Sequence, residues 1–264
     1  LEVGFNRISF GMQSAKPHVL AVLDRTHNPA NVEKAITMAR SAGFESISVD
    51  LIYGSPGETD SDLAETLDQV SAADVDHVSA YSLIVEPGTR LAARVARGEV
   101  PNPSDDVAAH RYELIDAKLQ SIGMTWYEVS NWAKPGGECR HNIAYWRNQD
   151  WLGIGPGAHA HSAGTRSWNL KHPAAWAARV DDGVSAIADS EVLAAEDVKH
   201  EDIMLGLRLR EGLPLTSLGE AGLTQAELAV SEGLLVPQEF ANGKAVLTFQ
   251  GRLLADGLVA RLWA

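Results

Sequence analysis

Four short apolar runs, separated by helical patterns, constrain this chain more than any other feature. Residues 8–13, 46–53, 77–85 and 126–131 have the alternating or continuous apolar content of strands. Between them, Val32, Ala35, Ile36 and Ala39 recur at helical spacing over 32–42, with Asn28-Pro29 as the opening signal and Gly43 as the stop. A further helix begins at Thr59 or Asp60 and sets Leu63, Leu67 and Val70 on one face. Short helices are predicted over 16–23 and 90–97, and a longer one over 105–122 carrying Tyr112, Ile115 and Leu119. Strand and helix alternating at this spacing predict a right-handed parallel β/α array. The apolar content of 46–53 predicts burial on both faces of that strand.

Ligands of such arrays gather at the carboxyl ends of the strands. The polar residues there are Gln13, Asp50, Glu86 with Gly88, and Glu128 with Ser130 and Asn131. Asp50 stands inside an otherwise apolar strand, where a carboxylate costs stability unless it is paired. It is either half of a structural ion pair or a ligand contact.

The second half opens with Cys139-Arg-His-Asn-Ile-Ala-Tyr-Trp146. On a helix, Asn142 lies three residues from both Cys139 and Tyr145, and His141 lies four from Tyr145, so these side chains are neighbours. The cluster reads either as a helix start with core aromatics or as a grip for a flat, metal-bearing ligand. A glycine-rich stretch follows, with short strands or a hairpin predicted at 151–154 and 165–169 and helices at 173–180 and 196–209. In the tail, Thr224 is placed as the cap of a helix ending near Ser231. Residues 234–238 and 245–249 read as strands around an Asn242-Gly243 hairpin signal, and 253–263 as a closing helix. That order suggests a winged-helix-like α+β tail, and the domains are drawn at 1–190 and 191–264.

Composition narrows the function classes. A net charge of -13, with no basic tail, opposes a nucleic-acid binder held by phosphate contacts and a polybasic membrane surface. The tail is therefore expected to pack or to dock a partner. No apolar run approaches the length of a membrane span, so no integral membrane segment is expected. A single cysteine cannot form an internal disulfide and fits a reducing cytoplasm. The opening at Leu1, without an initiator Met and close to an apolar strand, reads as a fragment of a longer protein.

Six motifs run in order: Asn6-Arg-Ile-Ser-Phe-Gly-Met-Gln-Ser14, Leu23-Asp-Arg-Thr-His27, Asp50-Leu-Ile-Tyr-Gly-Ser-Pro-Gly57, Tyr127-Glu-Val-Ser-Asn131, the Cys139 to Trp146 segment, and Gly153-Ile-Gly-Pro-Gly-Ala158. Together they resemble the HemW family, radical S-adenosylmethionine (SAM) proteins that act as heme chaperones and are close relatives of oxygen-independent coproporphyrinogen III dehydrogenase. The resemblance spans essentially the whole chain. It implies an α/β fold, a partial parallel β/α (TIM-like) radical-SAM barrel with the winged-helix-like tail. It implies SAM contacts at Gln13, Arg25 and Asp50, for which an amide, a guanidinium facing the carboxylate and an acceptor for hydroxyls or amines are suited.

By the same resemblance His141 is the heme-associated residue, with Asn142, Tyr145 and Trp146 completing the site; that its neutral imidazole is the axial ligand of the iron is inferred from its chemistry. Cys139 ranks below it, and His159 and His161 are weaker candidates still. The implied cofactors are SAM, a [4Fe–4S] cluster and heme. The implied partners are heme and apo-hemoproteins, and the resemblance leaves room for a homodimer. The chain departs from the family in that it has one cysteine, where the cluster motif needs three; the cluster ligands, the glycine-rich SAM motif and a SAM-contacting glutamate are expected upstream of Leu1. No catalytic residue is therefore assigned. The expected function is heme binding and delivery, with a coproporphyrinogen III oxidase as the alternative.

Overall fold

The computed structural model describes residues 1–263, which divide into two compact units, Leu1–Glu138 and a second from Cys139 onward. The domain division drawn from the sequence, at 190/191, falls inside a strand, Ile187–Val192, that is paired along its length. As a functional division it stays a proposal; compactness breaks at 138/139 instead.

In the first unit, β1 (Arg7–Gln13), β2 (Ser46–Tyr53) and β3 (His77–Ser82) are parallel neighbours. They are joined by α1 (Pro17–Val22), α2 (Pro29–Ala42) and α3 (Asp60–Ala72). The helices start and stop as their caps dictate. Asn28 Oδ1 accepts the Ala30 N–H at 3.0 Å with Pro29 following, and Gly43, at φ 99°, closes α2. Thr59 and Asp62 form a reciprocal capping box on α3. The Asp62 carboxyl is held at about 2 by hydrogen bonds from Thr59, with His18 adding to the effect.

The central strands bury much of both faces, but only one face is apolar. Ile47, Val49, Leu51 and Tyr53 of β2 are buried, whereas Asp50 and Ile52 are only half-buried and Ser48 is polar. The expected burial on both faces holds at Ser48, His77 and Ser79 and is partial at Asp50 and Ile52, but the second face is polar: it carries Ser9, Ser48, Asp50, His77 and Ser79, aligned by the register Ser9↔Ser48↔His77 and Gly11↔Asp50↔Ser79. A period-two pattern dense in β-branched residues hides this, because the polar positions are small.

The expected fourth parallel strand is also corrected. Residues 126–131 form part of two antiparallel strands, β4 (Thr125–Glu128) and β5 (Asn131–Ala133), turning at Val129-Ser130. Glu128 locks the turn by accepting the Ser130 N–H at 2.9 Å and a hydrogen bond from Asn131 Nδ2. β5 lies antiparallel on β3, so among the described residues the sheet runs β1-β2-β3-β5-β4 and is mixed. Beyond α4 (Arg90–Ala96), α5 (Asp105–Ser121) covers this edge. Trp132 is fully buried, with its indole N–H on Asp116 Oδ1 at 2.7 Å and its ring 5.4 Å from Tyr112.

The second unit begins with α6 (Arg140–Trp146). β6 (His159–Ser162), β7 (Thr165–Asn169) and β8 (Ile187–Val192) then form an antiparallel sheet, with α7 (Pro173–Asp181) between the last two. The predicted hairpin partner at 151–154 contributes only a bridge, Trp151 to His161; β7 pairs with β6 and β8 instead.

The tail is α8 (Ala195–Gly206), β9 (Leu213–Pro214), α9 (Glu220–Ser231), α10 (Pro237–Ala241), β10 (Lys244–Ala245), α11 (Phe249–Leu253) and α12 (Ala255–Leu262). Helix α9 starts from Gly219, not Thr224, whose hydroxyl bonds the Glu220 carbonyl inside the helix. The strand expected over 234–238 survives only around the Leu235 to Leu247 bridge, because Pro237 lacks an N–H for a ladder and opens α10. Asn242-Gly243 is the end of α10 rather than a hairpin, and β10 pairs with β9.

Candidate functional site

At the carboxyl ends of β1 to β3 lies a groove of about 420 Å³ lined by Gln13, Asp50, Ile52, Tyr81 and the residues that follow β3. Its shape comes from one irregularity. The β1–β2 register shifts between Gly11 and Gln13, and Gln13 takes a left-handed φ of 62°. A Cβ at residue 11 would stand 2.8 Å from the Gln13 amide nitrogen, so glycine leaves the space that this amide occupies. Ser9 Oγ donates to Asp50 Oδ1 at 3.0 Å. Asp50 is thus hydrogen-bonded but has no ion-pair partner among the described residues, which removes the structural-pair reading. Tyr81 was not singled out from the sequence. It lies on the Asp50 face, two residues beyond Ser79, and partial burial pushes its phenol up while hydrogen bonds with Ser79 and Asn131 draw it back.

Arg25 is not brought to this groove's lining. It is exposed in the loop after α1 and makes no side-chain hydrogen bond or ion pair among the described residues. Glu86 is likewise exposed, while Glu128 and Asn131 are buried in the turn they lock. The loop after β2 is tied down by a residue that the sequence reading passed over. Glu58 accepts the Gly54 N–H at 2.8 Å and Arg111 Nη1 at 2.7 Å. Burial pushes the Glu58 carboxyl up, and the Arg111 guanidinium and the loop's N–H groups pull it down.

In the second unit, α6 starts at Cys139, which is a half-buried free thiol and supplies no side-chain cap. His141 and Tyr145 meet edge to face at 4.7 Å, as their spacing predicts. The chain of rings continues through Trp151 at 4.9 Å to His161 at a further 5.0 Å. His141 is exposed, and Asn142 and Trp146 are half-buried. The Asn142 Oδ1 and His161 Nε2 atoms are buried without a hydrogen-bond partner. His159 stands apart, against Trp168 at 5.9 Å. Arg147 anchors the end of α6 through a forked pair with Glu211, at 2.7 and 2.5 Å.

The glycine-rich segment after Trp151 is held rather than loose. Asn169 Nδ2 donates to the carbonyls of Gly153 and Gly155 at 3.2 and 2.9 Å. A Cβ on residue 153 would fall 2.3 Å from the His159 carbonyl oxygen, an approach only glycine allows. Among the described residues no three His, Cys, Asp or Glu side chains gather as metal ligands.

Residues 1–70 match the Radical SAM superfamily. The chain is 51% identical over 259 residues to the heme chaperone HemW of Mycobacterium tuberculosis, covering 98% of this chain and 66% of the relative. It is 34% identical to HemW of Bacillus subtilis, covering 97% of this chain and 69% of that protein. The chain belongs to the HemW family. It spans about two thirds of the length of these relatives. Its backbone also superposes on the Escherichia coli coproporphyrinogen III oxidase HemN, a radical SAM enzyme, with a TM-score of 0.78 at 22% identity, over 98% of this chain and 64% of that one. That likeness shows the fold: a partial β/α barrel of the radical-SAM type, whose inner face is the polar face of the sheet described above.

In a HemW-family chain the strand-end groove, with an amide, a carboxylate and a phenol, fits a polar nucleoside ligand such as SAM. A cluster held by three cysteines does not fit these residues, because Cys139 is the sequence's one cysteine.

Proposed function

We propose that this protein is a heme chaperone: it binds heme at the Cys139 to Trp146 segment, delivers it to hemoproteins, and takes SAM at the strand-end groove. The observation that carries the reading is the ring cluster of His141, Tyr145 and Trp151, in a chain whose relatives bear the name heme chaperone. His141 offers an exposed imidazole to the iron, and the aromatic rings suit the face of a macrocycle. Asn142 and Trp146 flank them on α6. In the groove, Gln13 and Asp50 bind the polar groups of SAM, and the Arg25 guanidinium, exposed in the loop after α1, is assigned to the SAM carboxylate. SAM supplies a methionine and a nucleoside to be recognised, and the one cysteine, Cys139, does not suffice for a three-cysteine cluster.

The partners on this reading are heme and the apo-hemoproteins that receive it, met in the cytoplasm, with a homodimer as the assembly to look for. No helix among the described residues is long and apolar enough to cross a membrane. Titration of the full chain with ferric heme, followed by the Soret band, tests the proposal. Wild-type protein is expected to give a shifted, saturable Soret band, and His141→Ala to move the band and weaken binding about tenfold or more. Unchanged affinity and band position in His141→Ala would remove His141 from the site.

A further inference from the structure

Two strongly exposed aliphatic side chains of the second unit follow its ring cluster in the chain. Leu152 is 82% and Ile154 85% exposed. They flank Gly153 in the segment that Asn169 clamps, where a close approach to the His159 carbonyl leaves room for glycine alone. Single exposed aliphatics are ordinary on a protein surface, but two held two residues apart on a fixed loop are a built apolar surface. They follow directly on Trp151, whose ring touches Tyr145 at 4.9 Å, and Tyr145 in turn touches His141 at 4.7 Å. Trp151 is itself fixed by reciprocal backbone hydrogen bonds with His161, at 2.8 and 3.1 Å. The apolar pair therefore follows in the chain directly after Trp151, the residue that joins the ring contacts of the proposed heme-handling residues.

We propose that Trp151, Leu152 and Ile154 form the apolar face on which the porphyrin macrocycle lies, while His141 addresses its metal. This assignment rests on the heme reading above and adds residues outside the α6 motif. It divides recognition into two parts: a metal-dependent contact at His141 and a metal-independent contact with the macrocycle at the loop. The ligand class follows from that division. Tetrapyrroles without iron bind too, through the loop alone.

The test titrates the full chain with ferric heme and, separately, with iron-free protoporphyrin IX, by absorbance and by tryptophan quenching. Replacing both side chains (Leu152→Ser with Ile154→Ser) is expected to weaken binding of both tetrapyrroles by about tenfold or more, from the apolar area that no longer leaves water. The apolar control, Leu152→Met with Ile154→Met, is expected to restore both affinities. His141→Ala is expected to weaken ferric heme by about tenfold or more and protoporphyrin IX by clearly less. Because both loop side chains face solvent, the variants should melt with the wild type. If the serine pair binds both tetrapyrroles like wild type while ferric heme still depends on His141, this inference is overturned and the heme reading stands. If the unmodified chain binds neither tetrapyrrole, the heme reading falls and this assignment falls with it.

Discussion

His77 shows how much one buried polar side chain can set. Its Nδ1 lies 2.7 Å from Ser48 Oγ and its Nε2 2.9 Å from the Tyr127 hydroxyl, on the inner face of the sheet. Burial, with the nearby Arg7 charge adding to it, pushes its pKa down to about 3 from 6.5. The folded protein therefore keeps His77 neutral where the unfolded chain binds a proton. Between those two values the unfolded state carries more protons, so stability rises with pH and is lost progressively as pH falls below 6.5 toward 3. Urea unfolding across that range should show a falling midpoint, and His77→Gln should flatten the dependence; an acid limb unchanged by the substitution would assign it elsewhere. Nothing in the sequence around His77 announces this. The residue reads as the first of a strand, and only the pairing Ser48↔His77 and the fold-back of Tyr127 surround it.

At the scale of elements, the groove is a product of strand ends meeting. Asp50 was legible as an odd carboxylate in an apolar run, and Gln13 as the polar end of another. Their juxtaposition depends on the register shift after Gly11, which a pattern of residue types does not contain. Asp50→Ala should weaken SAM binding by about tenfold to a hundredfold, the loss expected for a hydrogen bond to a charged group of about 1.5–3 kcal/mol. Calorimetry on the full chain reads it, and equal affinity would sink the assignment. The same scale explains the misread fourth strand. Residues 126–131 have strand composition throughout, but Glu128 bends the backbone back at Ser130, and β5 runs opposite to the expected direction. Where Pro237 stood in a strand-like run, it marked a helix start, and that signal was available in the sequence.

For the molecule as a whole, two compact units divide the proposed ligands between them: SAM-type residues in the first, heme-type residues in the second. The 264-residue chain has one cysteine, so anaerobic reconstitution with iron and sulfide should leave it without a [4Fe–4S] absorption band. A stable, stoichiometric cluster would show that ligands other than cysteine hold it. What the sequence by itself determined is the order and type of most elements, the motifs of the HemW family, and the neighbourhood of His141 and Tyr145. These depend on spacing along a single strand or helix, where geometry follows from residue number. Only the tertiary structure decided the reversed β5, the groove around Gln13 and Asp50, the joining of Trp151 and His161 to the α6 rings, and the exposure of Leu152 and Ile154. Each of those depends on contacts between segments far apart in the chain, which local propensity does not encode.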